Sequence, residues 1–168
     1  MSLDRAGGYR PQMGTVDSRL VELGIVLPEP FPPAANYLSS SRTANLLFVG
    51  GHGPIAGTTA IIGKVGTDLS LAQGREAARM TALSLLATMR ADLGSLDRIE
   101  QIVKVFGMVN VGGSFDQMPA VIDGCSDLLV DVFGDRGRHT RSAVGVAALP
   151  FGIAVEIELI AQVEEPDG

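Results

Sequence analysis

The stretch "SLAQGREAARMTALSLLATMRADLG", residues 70–94, constrains the fold more than any other. Ser70 followed by Gln73 is a capping-box pattern, apolar residues recur at helical spacing, and Gly94 closes the run. Such a helix has an apolar side that it cannot bury alone, so it needs a layer to pack on. Flanking segments supply one. "NLLFVGG" and "TTAIIGKV" read as strands separated by the Gly/Pro segment "GGHGPIAG", and "RIEQIVKVFGMVNV" reads as a long β-branched strand. "SFDQMPAVIDGCSDLLVDVFG" reads as a second helix, its first turn limited by Pro119 and its end near Gly134. A closing pair of strands follows. Strands, helix, strand, helix and paired strands predict an α+β fold: a mixed sheet of about five strands with two main helices on one face.

The other face of that sheet has no helix to cover it. The chain is 46% hydrophobic and only 19% charged, so an uncovered apolar face predicts a homo-oligomer. Its 168 residues fit one domain, expected over 15–165, after a Gly-, Pro- and Arg-rich segment 1–14 expected to be poorly ordered. "TVDSRLVELG" predicts a short helix with Leu20, Val21 and Leu23 on one side and Gly24 as its stop, and "LPEPFPPAANY" an extended connection. A net charge of −6 argues against a general nucleic-acid binder. The single cysteine, Cys125, has no internal disulfide partner and is expected in a helix core. No signal-peptide core or membrane-length apolar run is evident, so a cytoplasmic protein is expected.

Several motifs fail on chemistry. "GGHGPIAG" contains Gly-x-Gly after a strand, but Pro54 and a following strand replace the helix that a dinucleotide site needs. "GTTAIIGKV" is one residue too long between Gly57 and Gly63 for a phosphate loop, and Val65 stands where Ser or Thr is required. His52, His139 and Cys125 are isolated, so no metal site is expected.

"HTRSAVGVAALPFGIAVEIELIA", residues 139–161, reads as a hairpin with a type I turn at 149–152. Arg141, Ala143, Gly145 and Ala147 share one face; in the next strand Ala154, Glu156 and Glu158 oppose Ile153, Val155, Ile157 and Leu159. Pattern alone favours Arg141 and both glutamates as solubilising charges on an outer face. In a hairpin Glu156 lies roughly 13–20 Å along the ladder from Arg141. A site using both residues would then draw them from different subunits.

These residues also carry a resemblance. "RSAVGVAALP" followed by "VEIELIA" closely resembles the C-terminal signature of the YjgF/RidA family. "NYLSSSRTANLLFVGGHGP" resembles that family's Tyr and Ser-Gly-Gln region, and "IVKVFGMV" its central strand, over roughly residues 33–164 in all. The resemblance implies a chorismate-mutase-like fold, a homotrimer with clefts between subunits, and hydrolysis of reactive enamines and imines to 2-keto acids and ammonia without metal or cofactor. It implies that Arg141 grips the substrate carboxylate, with the Ala143 N–H adding a donor, and that Glu156 lies near the hydrolytic water. Tyr37, Gly51 and His52 are implied to line the cleft. Gly50 and His52 replace the family's serine and glutamine, and Ala143 replaces a frequent cysteine. The family's helix asparagine has no clear counterpart, with Asp123 or Ser126 expected nearby. His139 is expected to end a loop, Lys104 to be an outward charge or interface contact, and Glu158 has no assigned role. Two other readings are a non-catalytic keto-acid-binding regulatory trimer and, more weakly, an endoribonuclease or translation inhibitor.

Overall fold

The computed structural model describes residues 15–30, 32–33 and 35–165. The expectation for residues 1–14 lies outside them. In chain order the elements are α1 (Val16–Glu22), β1 (Ser40–Thr43), β2 (Leu46–His52), β3 (Ile55–Ala56), β4 (Thr59–Ala60), α2 (Leu71–Leu93), β5 (Ile99–Asn110), α3 (Met118–Phe133), β6 (Thr140–Val146) and β7 (Val155–Val163). Five strands form one sheet in the order β1-β2-β7-β5-β6, and β3 with β4 makes a separate two-stranded ribbon.

The helices form where the caps predict. Ser70 accepts from the Gln73 N–H while the Gln73 side chain accepts from the Ser70 N–H, and Gly94 at φ +79 ends α2. Pro119 sits in the first turn of α3, where its missing N–H has no intrahelical partner to lose. α2 packs on β2 and β7, and α3 on β5 and β6, so both cover one sheet face. Between them lies the core: Leu85, Leu86 and Met89 of α2, Ile122 and Leu129 of α3, and Val105, Ile157 and Leu159 of the sheet. The two helices approach closely at Gly124, where a Cβ would lie 2.0 Å from the Arg75 carbonyl oxygen.

Three expectations need correction. The closing strands are not a hairpin. β6 runs parallel to β5 and β7 runs antiparallel on the other side of β5. Parallel pairing needs a crossover, which α3 supplies between β5 and β6. The segment 147–154 is then long enough to pass the end of β5 before β7 begins. Its turn is not type I either: Phe151 has φ +57 at the third position, although the Gly152 N–H does donate to Leu149 O at 3.1 Å. Second, "TTAIIGKV" yields only β4 and isolated bridges at Ile62 and Val65; the fifth strand of the sheet is β1, whose "SSRT" has no apolar alternation to reveal it. Third, α1 buries Val16 and Leu20, while Val21 is exposed.

Register assigns the faces. Val49, Leu159, Val105 and Arg141 are successive cross-strand partners, as are Ile157, Gly107 and Ala143, and all lie on the helix side. Phe48, Ile160 and Lys104 form one row of the open face, Glu158, Phe106 and Ser142 a second, and Glu156, Met108 and Val144 a third. Among the described residues no layer covers this face. Among the described residues no helix is long and apolar enough to cross a membrane.

Candidate functional site

Two clusters contain the candidate site residues, one around Arg141 on the helix side of the sheet and one around Glu156, whose side chain leaves the opposite face. The first surrounds Arg141. β6 is an edge strand, and Arg141 leaves it towards α3 rather than outward to solvent, which corrects the solubilising-charge reading. Its Nη1 donates to Asp123 Oδ1 at 2.8 Å and to Ser126 Oγ at 3.0 Å. These two residues are three apart on α3, so both face the strand. Asp123 also lies 3.8 Å from Arg75 Nη1, and Arg75 pairs with Asp127.

The hydrogen-bond chain continues past Ser126. Its hydroxyl accepts from Arg141 and donates to His139 Nε2 at 3.0 Å; His139 Nδ1 donates to Gly137 O at 2.6 Å. A carbonyl can only accept, so His139 carries its proton on Nδ1 and Nε2 is free to accept. Burial lowers the His139 pKa and the Arg141 charge adds to that, against the opposing Gly137 carbonyl. His139 thus ends a loop, as expected, and also fixes the Ser126 rotor that holds Arg141. Both bonds of the guanidinium use Nη1. Among the described residues no hydrogen bond engages its Nε–Nη2 edge, the fork that pairs bidentately with a carboxylate. Ala143 lies two residues on in the same edge strand, on the same face and partly packed on the core.

The second cluster is a cleft of about 150 Å³ at the junction of β2 and β7. Tyr37, Gly51, His52 and Glu156 all line it. A register shift between Val49 and His52 makes this possible, since it turns Gly51 to the Glu156 side and His52 to the helix side. A Cβ on Gly51 would stand 2.1 Å from Glu156 Oε1, so glycine is what admits the carboxylate. Burial raises the Glu156 pKa above the ordinary glutamate value, and Glu158 raises it further.

His52 is occupied structurally. Its Nδ1 donates to Gly50 O at 2.8 Å, and its Nε2 accepts from the Thr88 hydroxyl of α2 at 2.8 Å. Burial lowers its pKa, which keeps the ring neutral. It shapes the cleft wall with both ring nitrogens already used. Cys125 is fully buried in α3, and desolvation pushes its thiol up to about 12, an inert core residue.

Sequence reasoning missed the apolar side of the cleft, formed by Pro32, Pro33, Ile55, Pro150, Phe151 and Ile153. It also missed Lys64, whose Nζ donates to Asn110 Oδ1 at 2.8 Å and Ala147 O at 2.5 Å, while Asn110 Nδ2 donates to Ile153 O at 3.1 Å. These bonds fasten the 147–154 crossing to the end of β5. No local pattern signals them, because their partners are far apart in sequence.

Among the described residues the helices cover one face of the sheet, Arg141 is anchored on the edge strand, and the cleft carboxylate Glu156 leaves the opposite face. The chain belongs to the YjgF family; the family model described as "YjgF/chorismate mutase-like, putative endoribonuclease" matches residues 17–163. It is 42% identical over 153 residues to Protein TCP17 of Trypanosoma cruzi, covering 89% of this chain and 94% of that one. A crystal structure of a protein of unknown function from Agrobacterium tumefaciens is 38% identical with a TM-score of 0.83, covering 89% of this chain and 92% of that one. An endoribonuclease-named structure from Shewanella oneidensis is 32% identical with a TM-score of 0.86, covering 89% and 100%. The YjgF gene product of E. coli, 24% identical with a TM-score of 0.56, shares the fold.

Proposed function

We propose that the protein hydrolyses reactive 2-imino acids and their enamine tautomers to 2-keto acids and ammonia, at a site completed by a second copy within a homotrimer. The observation that carries this reading is Arg141, anchored through Nη1 with its Nε–Nη2 fork open. The fork holds the substrate carboxylate and leaves the neighbouring imine carbon oriented for attack.

Glu156 supplies the proton chemistry. Water forms a C–O bond to the imine carbon while the C=N π pair moves to nitrogen, and Glu156 takes the proton that water releases. Nitrogen then gains two protons, the first returned by Glu156 and the second taken by Glu156 from the carbinolamine hydroxyl and passed on; the C–N bond breaks as the C=O bond forms, ammonia leaves and the Glu156 carboxylate is restored. The imine is already electrophilic, so positioning and one acid–base group suffice.

The two residues belong to one reaction only across copies. Arg141 pairs with Val105 and Glu156 with Met108, so they stand roughly 10 Å apart along β5, about 10 Å across it, and on opposite faces. This replaces the hairpin estimate with a firmer reason for a shared site. The uncovered face, with Phe48 and Val144 exposed, supports self-association. An RNA-cleaving role fits less well, since Glu156 and Glu158 on that face repel a phosphate backbone.

The test is coupled detection of keto acid from freshly generated 2-aminoacrylate and larger 2-imino acids. Release faster than the protein-free rate supports the reading; the protein-free rate for every imine sinks it.

Two variants probe Glu156. Gly51→Ala places a methyl on the Glu156 carboxylate, a flexible group that can swing away, so the fold survives but the base is displaced. Displacement by an ångström or so is expected to cost about 100-fold in kcat/KM, with thermal stability nearly unchanged. Wild-type turnover in this variant would contradict the role. Glu158→Gln removes a charge that raises the Glu156 pKa. The base must be ionised, so activity falls as pH drops through that pKa. Without Glu158 the carboxylate ionises at lower pH, and the acid limb of kcat/KM moves down. Coincident limbs in a pH–rate comparison would remove Glu156 as the titrating base.

A further inference from the structure

Phe151 combines two unfavourable features. Its backbone is left-handed at φ +57, its ring is 82% exposed, and it stands at the lip of the Glu156 cleft. For a bulky L-residue that backbone is strained, and an exposed side chain returns little by packing. Yet the surroundings hold it there. The Gly152 N–H donates to Leu149 O at 3.1 Å, the Ile153 N–H to Pro150 O at 3.3 Å, and the Gly63 N–H to Gly152 O at 2.9 Å. Lys64 and Asn110 fasten both ends of the same crossing. A strained residue fixed this firmly at a cleft suggests a benefit outside the chain's own packing.

The cleft's chemistry indicates the beneficiary. Besides Glu156, the cleft is lined by Pro32, Pro33, Ile55, Pro150 and Ile153, which with Phe151 make an apolar wall. Such a wall gains nothing from 2-aminoacrylate, whose side chain is a single carbon. We propose that the cleft selects 2-imino and 2-oxo acids with bulky apolar side chains, branched aliphatic or aromatic, and that Phe151 is the residue that confers the preference. This rests on the function proposed above for the carboxylate end of the ligand; the side-chain end is read from the wall itself.

The test compares kcat/KM for imines generated from phenylalanine, leucine and alanine by an amino-acid oxidase, in wild type, Phe151→Gly and Phe151→Leu. Each buried methylene is worth about 10-fold or more, so wild type is expected to favour the two larger imines by at least that factor. Glycine adopts φ +57 readily, so Phe151→Gly keeps the turn and is expected to lose most of the preference; Phe151→Leu keeps part of it. Equal rates for the three imines in wild type, or a ratio unmoved by Phe151→Gly, overturn the proposal. A change in oligomeric mass with an unmoved ratio also overturns it, assigning the ring to a contact between copies. If no imine is hydrolysed, the deaminase reading fails separately. Calorimetric titration with phenylpyruvate, 4-methyl-2-oxopentanoate and pyruvate then decides: preference for the larger acids, lost in Phe151→Gly, supports the inference, and equal or absent binding overturns it.

Discussion

Arg141→Ala is expected to lower kcat/KM for imine hydrolysis by roughly 10²–10⁴-fold, because two charge-assisted hydrogen bonds of about 1.5–3 kcal/mol each to the substrate carboxylate are lost. The fold should survive. Asp123 keeps Arg75 as a neighbouring guanidinium, and Ser126 keeps His139 as an acceptor, so removal of Arg141 leaves no isolated charge. Arg141→Lys restores the charge without the planar fork and is expected to recover only a small part of the activity. Steady-state keto-acid release checks both variants, with circular dichroism to verify the fold. Wild-type turnover in Arg141→Ala would remove the clamp from the mechanism.

The largest effect on stability is expected at Gly124→Ala. The new Cβ would lie 2.0 Å from Arg75 O, far inside the 3.0 Å that real Cβ atoms respect. The obstacle is backbone, so no side chain can move aside; α2 and α3 must separate. Overpacking of this kind costs about 3 kcal/mol, and alanine's better helix propensity returns about 1 kcal/mol. Overpacking wins, and Tm is expected to fall by roughly 4–8 °C. Differential scanning calorimetry checks this; an unchanged or higher Tm would mean that the helices are not in the contact described. The same variant should also impair activity, since Asp123 and Ser126 flank position 124 and hold Arg141.

Local chemistry made much of this architecture legible. The Ser70–Gln73 box, Gly94 and the β-branched run of β5 are each written within a few residues, and the helices and central strand appear where those signals lie. Topology was less legible. The two closing strands alternate as a hairpin would, and nothing local says that β5 intervenes; that follows from pairing between residues 46 to 64 apart in sequence. Asp123 or Ser126 was expected near the site only through the resemblance, in place of the family's helix asparagine, and both hydrogen-bond Arg141. The Glu156–Gly51 approach was harder to foresee, since it depends on a register shift in β2. Phe151 read only as a turn residue, because its exposure and left-handed backbone emerge after the crossing is built.

The separation of Arg141 and Glu156 on opposite faces makes subunit mixing the most direct test. Arg141→Ala and Glu156→Gln are purified separately, unfolded, mixed and refolded together, and keto-acid release is measured beside each variant refolded alone. A site shared between copies predicts that each variant alone is inactive and that the mixture regains part of the wild-type rate, because some interfaces pair an intact Arg141 with an intact Glu156. A mixture as inactive as its components, when refolded wild type is active, would contradict the shared site.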